Sequence, residues 1–196
     1  MDSSEVTRPS LILRIRDSRD REAWGEFVAL YAPLVYRFAR QRGLQDADAA
    51  DVTQDVLRTV ARSIGRFVYD RARGTFRGWL MSVARTRICD FLASRQRQAL
   101  GSGDTKVQKL LESQAADEDE QELWEREYRK CAFEWAVEKV RPQFQDSTWQ
   151  AFWQTSVEGK DPQQVAALLG MSVGAVYIAR SRVLARLKRE IQPLEE

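Results

Sequence analysis

Asp161-Pro-Gln-Gln-Val-Ala-Ala-Leu-Leu-Gly-Met-Ser-Val-Gly-Ala-Val-Tyr177 reads as a helix, a turn at Gly170 and a second helix. Val165, Ala166 and Leu169 fall at i, i+1 and i+4, so they share one helical face. Gly170 stands where the first helix ends and the chain bends, which glycine permits by taking positive φ. Ser172 can cap the next helix. Val176 then faces inward, and Ala179 is small enough for the helices to cross closely. Arg180, Arg182, Arg186, Lys188 and Arg189 follow, with no acid until Glu190. This is the pattern of a helix-turn-helix whose second helix enters a DNA major groove. The competing reading is a helical hairpin with a solvated basic end.

On the first reading, the DNA contacts come from Ser172, Val173, Gly174, Tyr177, Arg180, Ser181, Arg182, Arg186 and Lys188. Tyr177, Arg180 and Ser181 share one side at i, i+3 and i+4. Arg180 and Arg182 are expected nearest the DNA, and Arg186 and Lys188 at phosphates.

The rest of the chain of 196 residues is expected to be helical too. Trp24, Phe27, Val28 and Tyr31 lie at i, i+3, i+4 and i+7. Pro33 restarts the path, and Leu34, Val35, Phe38 and Ala39 carry the stripe to Gly43. A helix from about Asp46 to Ser63 stacks Val52, Val56 and Val60. A long helix opens near Thr75 and buries Trp79, Leu80, Val83, Ala84, Ile88, Phe91 and Leu92. Residues 99–121 lose periodicity: a Gly/Ser-rich start leads to the acidic run Asp117 to Glu120. Periodicity returns through Trp124, Tyr128, Cys131 and Trp135, then Trp149, Phe152, Trp153 and Val157. The expected fold is all-α. Two small helical domains, 10–98 and 122–192, are joined by a flexible acidic linker at 99–121, and the second holds the helix-turn-helix.

Charge follows the same division. Residues 1–98 carry 18 arginines, no lysine and 12 acids, a net +6. Residues 99–140 are net −5 and residues 141–196 net +1, which leaves a whole-chain charge of +2. The local clustering, rather than the total, points to nucleic acid. No apolar run reaches the ~20 residues of a bilayer span, and the N-terminus lacks a signal pattern. A cytoplasmic protein without membrane insertion is expected. Cys89 and Cys131 sit in separate helical patterns and read as reduced and buried. The chain has no histidine, which removes the commonest general base and metal ligand. No phosphate loop or nucleophile motif appears. No catalytic residue, metal or cofactor is therefore expected, and the protein is not read as an enzyme.

Two further constellations carry chemistry. Arg66, Phe67, Tyr69, Arg71, Arg73, Phe76, Arg77 and Trp79 interleave arginines and aromatics across a loop and into a helix. Aromatics give unpaired bases a stacking platform and arginines neutralise phosphates, which suits single-stranded DNA. The plainer alternative makes Phe67, Phe76 and Trp79 core residues. Arg85 and Arg87 extend the basic surface. Arg77, Arg85 and Arg95 are expected opposite the apolar stripe, where they would suit a duplex backbone. Asp48, Asp51 and Asp55 lie at i, i+3 and i+7 on one helix face, beside Gln54 and Leu57. A helix face spreads carboxylates too far apart for a hard cation. A dock for a basic partner fits better.

In this order, the segments resemble bacterial RNA polymerase sigma factors of the extracytoplasmic-function (ECF) group of the sigma-70 family. Arg21 to Pro33 is similar to the opening helix of that family's first domain. Asp48 to Leu57 is similar to the helix that docks on the β′ clamp. Phe76 to Asp90 is similar to the helix that melts and reads the −10 element. Val157 to Leu187 is similar to the module that reads the −35 element. The resemblance covers about residues 10–97 and 122–190. It implies core polymerase (β′ clamp and β subunits) and promoter DNA as partners, and a role in promoter-specific initiation. It assigns the chemistry to the polymerase. It leaves room for an anti-sigma factor, which no residue here identifies. One departure stands out: after Val176 the family often has a polar run such as Lys-Ser-Arg, and here Tyr177, Ile178 and Ala179 follow. The alternative functional readings are a stand-alone helix-turn-helix regulator that binds duplex DNA without polymerase, and a helical adaptor.

Overall fold

The structure is a computed structural model that describes residues 11–66, 75–100 and 118–194. Every regular element among them is helical. The described chain forms two compact units, Leu11–Cys131 and Ala132–Glu196.

The first unit begins with a single turn, α1 (Leu11–Arg14), followed by α2 (Arg21–Gln41), α3 (Asp46–Ser63) and α4 (Phe76–Leu100). The Asp20 carboxylate caps α2 by accepting from the Ala23 amide at 2.9 Å, and it also accepts from Arg14 Nε at 3.0 Å. Pro33 does not restart the path. α2 runs unbroken through it. A proline inside a helix costs about 3 kcal/mol. Phe27, Leu30, Tyr31, Leu34, Val35, Phe38 and Ala39 are all buried along this helix. Each large side chain buried contributes about 1.5–3 kcal/mol, so the face as a whole outweighs the proline.

α2 packs on α3, and α3 on α4. Val52, Val56 and Val60 are buried, as are Leu80, Ala84 and Ile88. The stripe on α4 is narrower than expected. Trp79, Val83 and Phe91 are half-buried and Leu92 is exposed. Leu92 continues the i+4 row of Leu80, Ala84 and Ile88, but that row drifts about 40° around the helix at each step and carries Leu92 out of the packed side.

A fifth helix, α5 (Glu118–Val140), opens inside the stretch expected to be linker. Its first turns belong to the first unit, which extends to Cys131 rather than ending at residue 98. The reason is aromatic. Trp124 is buried edge-on to Phe38 at 5.1 Å between ring centroids, and Tyr128 stacks on Tyr31 at 6.2 Å. Gln41 Nε2 donates to Glu127 Oε1 at 3.1 Å, and Lys130 Nζ donates to the same oxygen at 2.9 Å.

Burial pushes the Glu127 carboxyl up, but the hydrogen bonds from Lys130 and Gln41 outweigh it and hold its pKa below the usual range. A depressed carboxyl stabilises the fold above the unfolded value, about 4.3 for glutamate. That contribution disappears as pH falls through the lower folded value. Glu127→Gln is therefore expected to flatten the acid limb of the stability–pH curve below about pH 4.3. Denaturant midpoints measured from pH 3 to pH 7 would check this, and an acid limb as steep as wild type would refute it.

The second unit contains the end of α5, then α6 (Asp146–Phe152), α7 (Pro162–Leu169) and α8 (Val173–Ile191). After α6 the backbone widens over Trp153–Val157, where the Glu158 amide reaches back five residues to the Trp153 carbonyl at 3.0 Å. α6 and α7 both pack on α8. Ala151, Val165, Ala166, Val176 and Ala179 form the core at this junction, with Leu169 and Met171 against it.

Candidate nucleic-acid interface

α7 starts at Pro162 under the carboxylate of Asp161, which accepts from the amides of Gln163 at 2.8 Å and Gln164 at 3.2 Å. Proline in the first turn needs no donor, so the sequence starts this helix cleanly. Gly170 ends it at φ 63° and ψ 31°. The Met171 amide turns back to the Ala166 carbonyl at 2.9 Å. Ser172 Oγ then accepts from the Ala175 amide at 3.1 Å and opens α8. The two helix axes differ in direction by 101°.

This geometry presents α8 on its side. Val176, Ala179, Val183 and Leu187 are buried at i, i+3, i+7 and i+11. Val173, Gly174, Tyr177, Arg180, Ser181, Arg182 and Lys188 are all exposed. Arg180, Arg182, Lys188 and Arg189 have no acidic partner among the described residues, so their charge is available to an outside ligand. Arg186 differs. Its guanidinium donates to Gln143 Oε1 and to Glu190 Oε2, both at 2.7 Å, and Lys139 lies 3.8 Å from Glu190. In this structure the Arg186 guanidinium instead ties α8 to the turn Arg141–Gln143 that follows α5. Glu190 follows Arg186 at i+4, a spacing that would have signalled this pairing.

The basic helix of the first unit is more altered. Arg77 and Arg95 do not lie opposite the apolar stripe. Spacings of seven and eleven residues place them on the side of Ala84 and Ile88. The Arg77 guanidinium sits over the Tyr128 ring at 4.5 Å, and its Nε lies 3.7 Å from Glu125. Burial opposes its charge, but the Tyr128 hydrogen bond and the nearby charges hold its pKa up. Arg85 lies 3.6 Å from the buried Glu120, which also pairs with Arg42. Arg95 pairs with Asp48. Arg87 stays exposed, donating to Thr59 Oγ1 at 3.2 Å.

Phe76 is also removed from the stacking set. It is 1% exposed and packs edge-on to Phe27 at 6.0 Å and Tyr31 at 5.6 Å. Trp79 lies beside it at 5.5 Å and is half-buried. Arg66 ends a short turn after α3, and its side chain lies outside the described residues, as do Phe67, Tyr69, Arg71 and Arg73.

On α3, Asp51, Gln54 and Asp55 are exposed and Leu57 is half-buried. Arg58 donates to Asp55 at 2.8 Å and to Gln54 at 3.2 Å. Asp51 has no cationic partner among the described residues. The opposite face holds Ala49, Val52, Thr53 and Val56 in the core. α3 thus presents carboxylates outward because its other side is anchored.

Residues 27–98, which contain the acidic face and most of α4, match sigma-70 region 2. Two curated relatives agree with that match. The ECF RNA polymerase sigma factor SigE of Mycolicibacterium smegmatis is 26% identical over 184 residues, 92% of this chain and 65% of the relative. The ECF RNA polymerase sigma factor RpoE of Cereibacter sphaeroides is 32% identical over 83 residues, 42% of this chain and 45% of the relative. Through region 2 the chain is thus similar to ECF sigma factors of the sigma-70 family. It spans less than two thirds of the length of either curated relative. A solved structure of CnrH in complex with the cytosolic domain of CnrY is also similar, at a TM-score of 0.36 and 20% identity, covering 93% of this chain and 95% of that one. The region 2 match ends at residue 98, so the α7–α8 pair rests on its own geometry. No single helix among the described residues is long and apolar enough to cross a membrane.

Proposed function

We propose that this chain is an ECF sigma factor that binds core RNA polymerase in the cytoplasm and directs promoter-specific initiation of transcription. One observation carries the reading: a single chain presents an outward acidic face on α3, within the region 2 match, and an outward cationic face on α8. A stand-alone regulator needs the second face but not the first. Asp51, with Gln54, Asp55 and Leu57 beside it, meets a basic surface of the polymerase. Asp48, tied to Arg95, supports that face from its edge. The segment from Arg66 to Arg73, with Arg87 and the exposed part of Trp79, contacts the opened −10 strand. The outer face of α8 reads the −35 element, and residues 99–117 connect the two activities. The polymerase performs the chemistry.

Co-purification with core polymerase, followed by run-off transcription on genomic fragments, tests the proposal. Retention by core together with fragment-specific transcripts supports it. Tight binding of a specific duplex without any retention by core favours the stand-alone regulator.

A charge reversal tests the dock itself. Asp51→Arg is expected to weaken core binding about tenfold or more, because it replaces attraction with repulsion across the contact. Helical content should not change, since Asp51 is exposed. A pull-down titration with wild-type affinity for the variant would remove Asp51 from the dock.

A further inference from the structure

We propose that Tyr177 and Ile178 recognise the 5-methyl groups of thymine in the upstream promoter element. The inference rests on the reading of α8 as the helix that enters the major groove. It adds the chemical feature that this helix selects.

The front of α8 is unusually apolar for a DNA-facing surface. Tyr177 is 52% exposed, Ile178 62% and Leu184 42%. They are not scattered. Tyr177 and Leu184 lie at i and i+7 along one line of the helix, and Ile178 and Ala185 along the next. A shallow groove between them is lined by Tyr177, Arg180, Ser181, Leu184, Ala185 and Lys188. Single exposed apolar residues are ordinary, but grouped ones mark a contact surface.

Charge says what kind of surface touches it. Arg182 and Arg189 follow Ile178 at i+4 and i+11, and Arg180 and Lys188 follow Tyr177 at i+3 and i+11. None of the four has an acidic partner among the described residues. An occupant matched to this face is therefore polyanionic at its margins and carries apolar points between them. The major groove of duplex DNA fits, because phosphates line its edges and thymine presents a methyl group on its floor. No other base offers an apolar group there. The small residues Gly174, Ser181 and Ala185 sit at the front of the helix and let its backbone approach the bases. Tyr177 and Ile178 flank them on either side. Polar residues in their place would seek base donors and acceptors instead.

Deoxyuridine is the direct test, since it differs from thymidine only by that methyl. Holoenzyme assembled from core polymerase and the full chain selects an upstream element from a duplex library randomised over that region. The probes are the selected duplex and its copy with deoxyuridine in place of thymidine in the element. Burial of one methyl group corresponds to about a fourfold change in affinity. Wild-type holoenzyme is expected to lose about fourfold for each thymine facing Tyr177 or Ile178. The double variant Tyr177→Ala, Ile178→Ala is expected to bind both probes equally. Both side chains lie outside the core, so the variant keeps its fold. Equal wild-type binding to the two probes overturns the proposal while leaving promoter recognition intact. A selected element with no thymine in either strand also overturns it. So does a self-associated free protein whose dimer is dissolved by the double variant, for then the face belongs to a second copy. If no element is selected at all, the recognition-helix reading fails and this proposal falls with it.

Discussion

Phe76→Ala is expected to destabilise the first unit by about 3–5 kcal/mol, the usual range for deleting a buried aromatic ring. The ring is 1% exposed and wedged edge-on between Phe27 and Tyr31. Removing it leaves a cavity lined by two aromatics that cannot close in without moving α2. Trp79→Ala should cost clearly less, because Trp79 is only half-buried. Chemical denaturation of the two variants distinguishes a core ring from a base-stacking one. An unchanged denaturation midpoint for Phe76→Ala, with open-complex formation lost, would return Phe76 to the DNA-facing set.

The neighbours of Phe76 show why the sequence hid this. Arginines and aromatics alternate from Arg66 to Trp79, and that alternation suits both a strand-binding loop and a cation–π core. What decides is the partner across the fold. Tyr128 and Glu125 take Arg77, and Glu120 takes Arg85. Those partners lie some 35 to 50 residues further along the chain, in a stretch whose acidity and glycine-rich approach resemble a linker. Local periodicity carries no information about such pairings. The helices themselves were legible, because Val52, Val56 and Val60, or Val176, Ala179 and Val183, repeat at the helical period and are buried. The α7–α8 turn was legible for a stronger reason. Asp161, Gly170 and Ser172 each have a backbone role that few other residues can fill, and all three fill it. Pro33 shows the opposite limit: a local breaker is overridden when eight buried residues share one helix.

The side of α8 that faces outward yields three different outcomes from three substitutions. Arg180 is exposed, free of acidic partners among the described residues, and one turn from Tyr177. Arg180→Ala is expected to relax sequence preference at the upstream element by ~1–3 kcal/mol, the worth of a bidentate arginine–guanine pair. Lys188 stands about two turns further along α8 and is expected at a phosphate. Lys188→Ala should weaken binding evenly across sequences and reduce the slope of log affinity against log salt by about one. Arg186 belongs to neither class. Its bonds to Gln143 and Glu190 are internal, so Arg186→Ala should lower the stability of the second unit by about 1–3 kcal/mol. Its salt slope on DNA should match wild type. Binding-site selection, salt titration and denaturation of the three variants together separate base reading, phosphate contact and internal support. If Arg180→Ala keeps the wild-type consensus while Arg186→Ala changes the salt slope, α8 meets DNA through a different edge, and the exposed face described here is not the one that reads it.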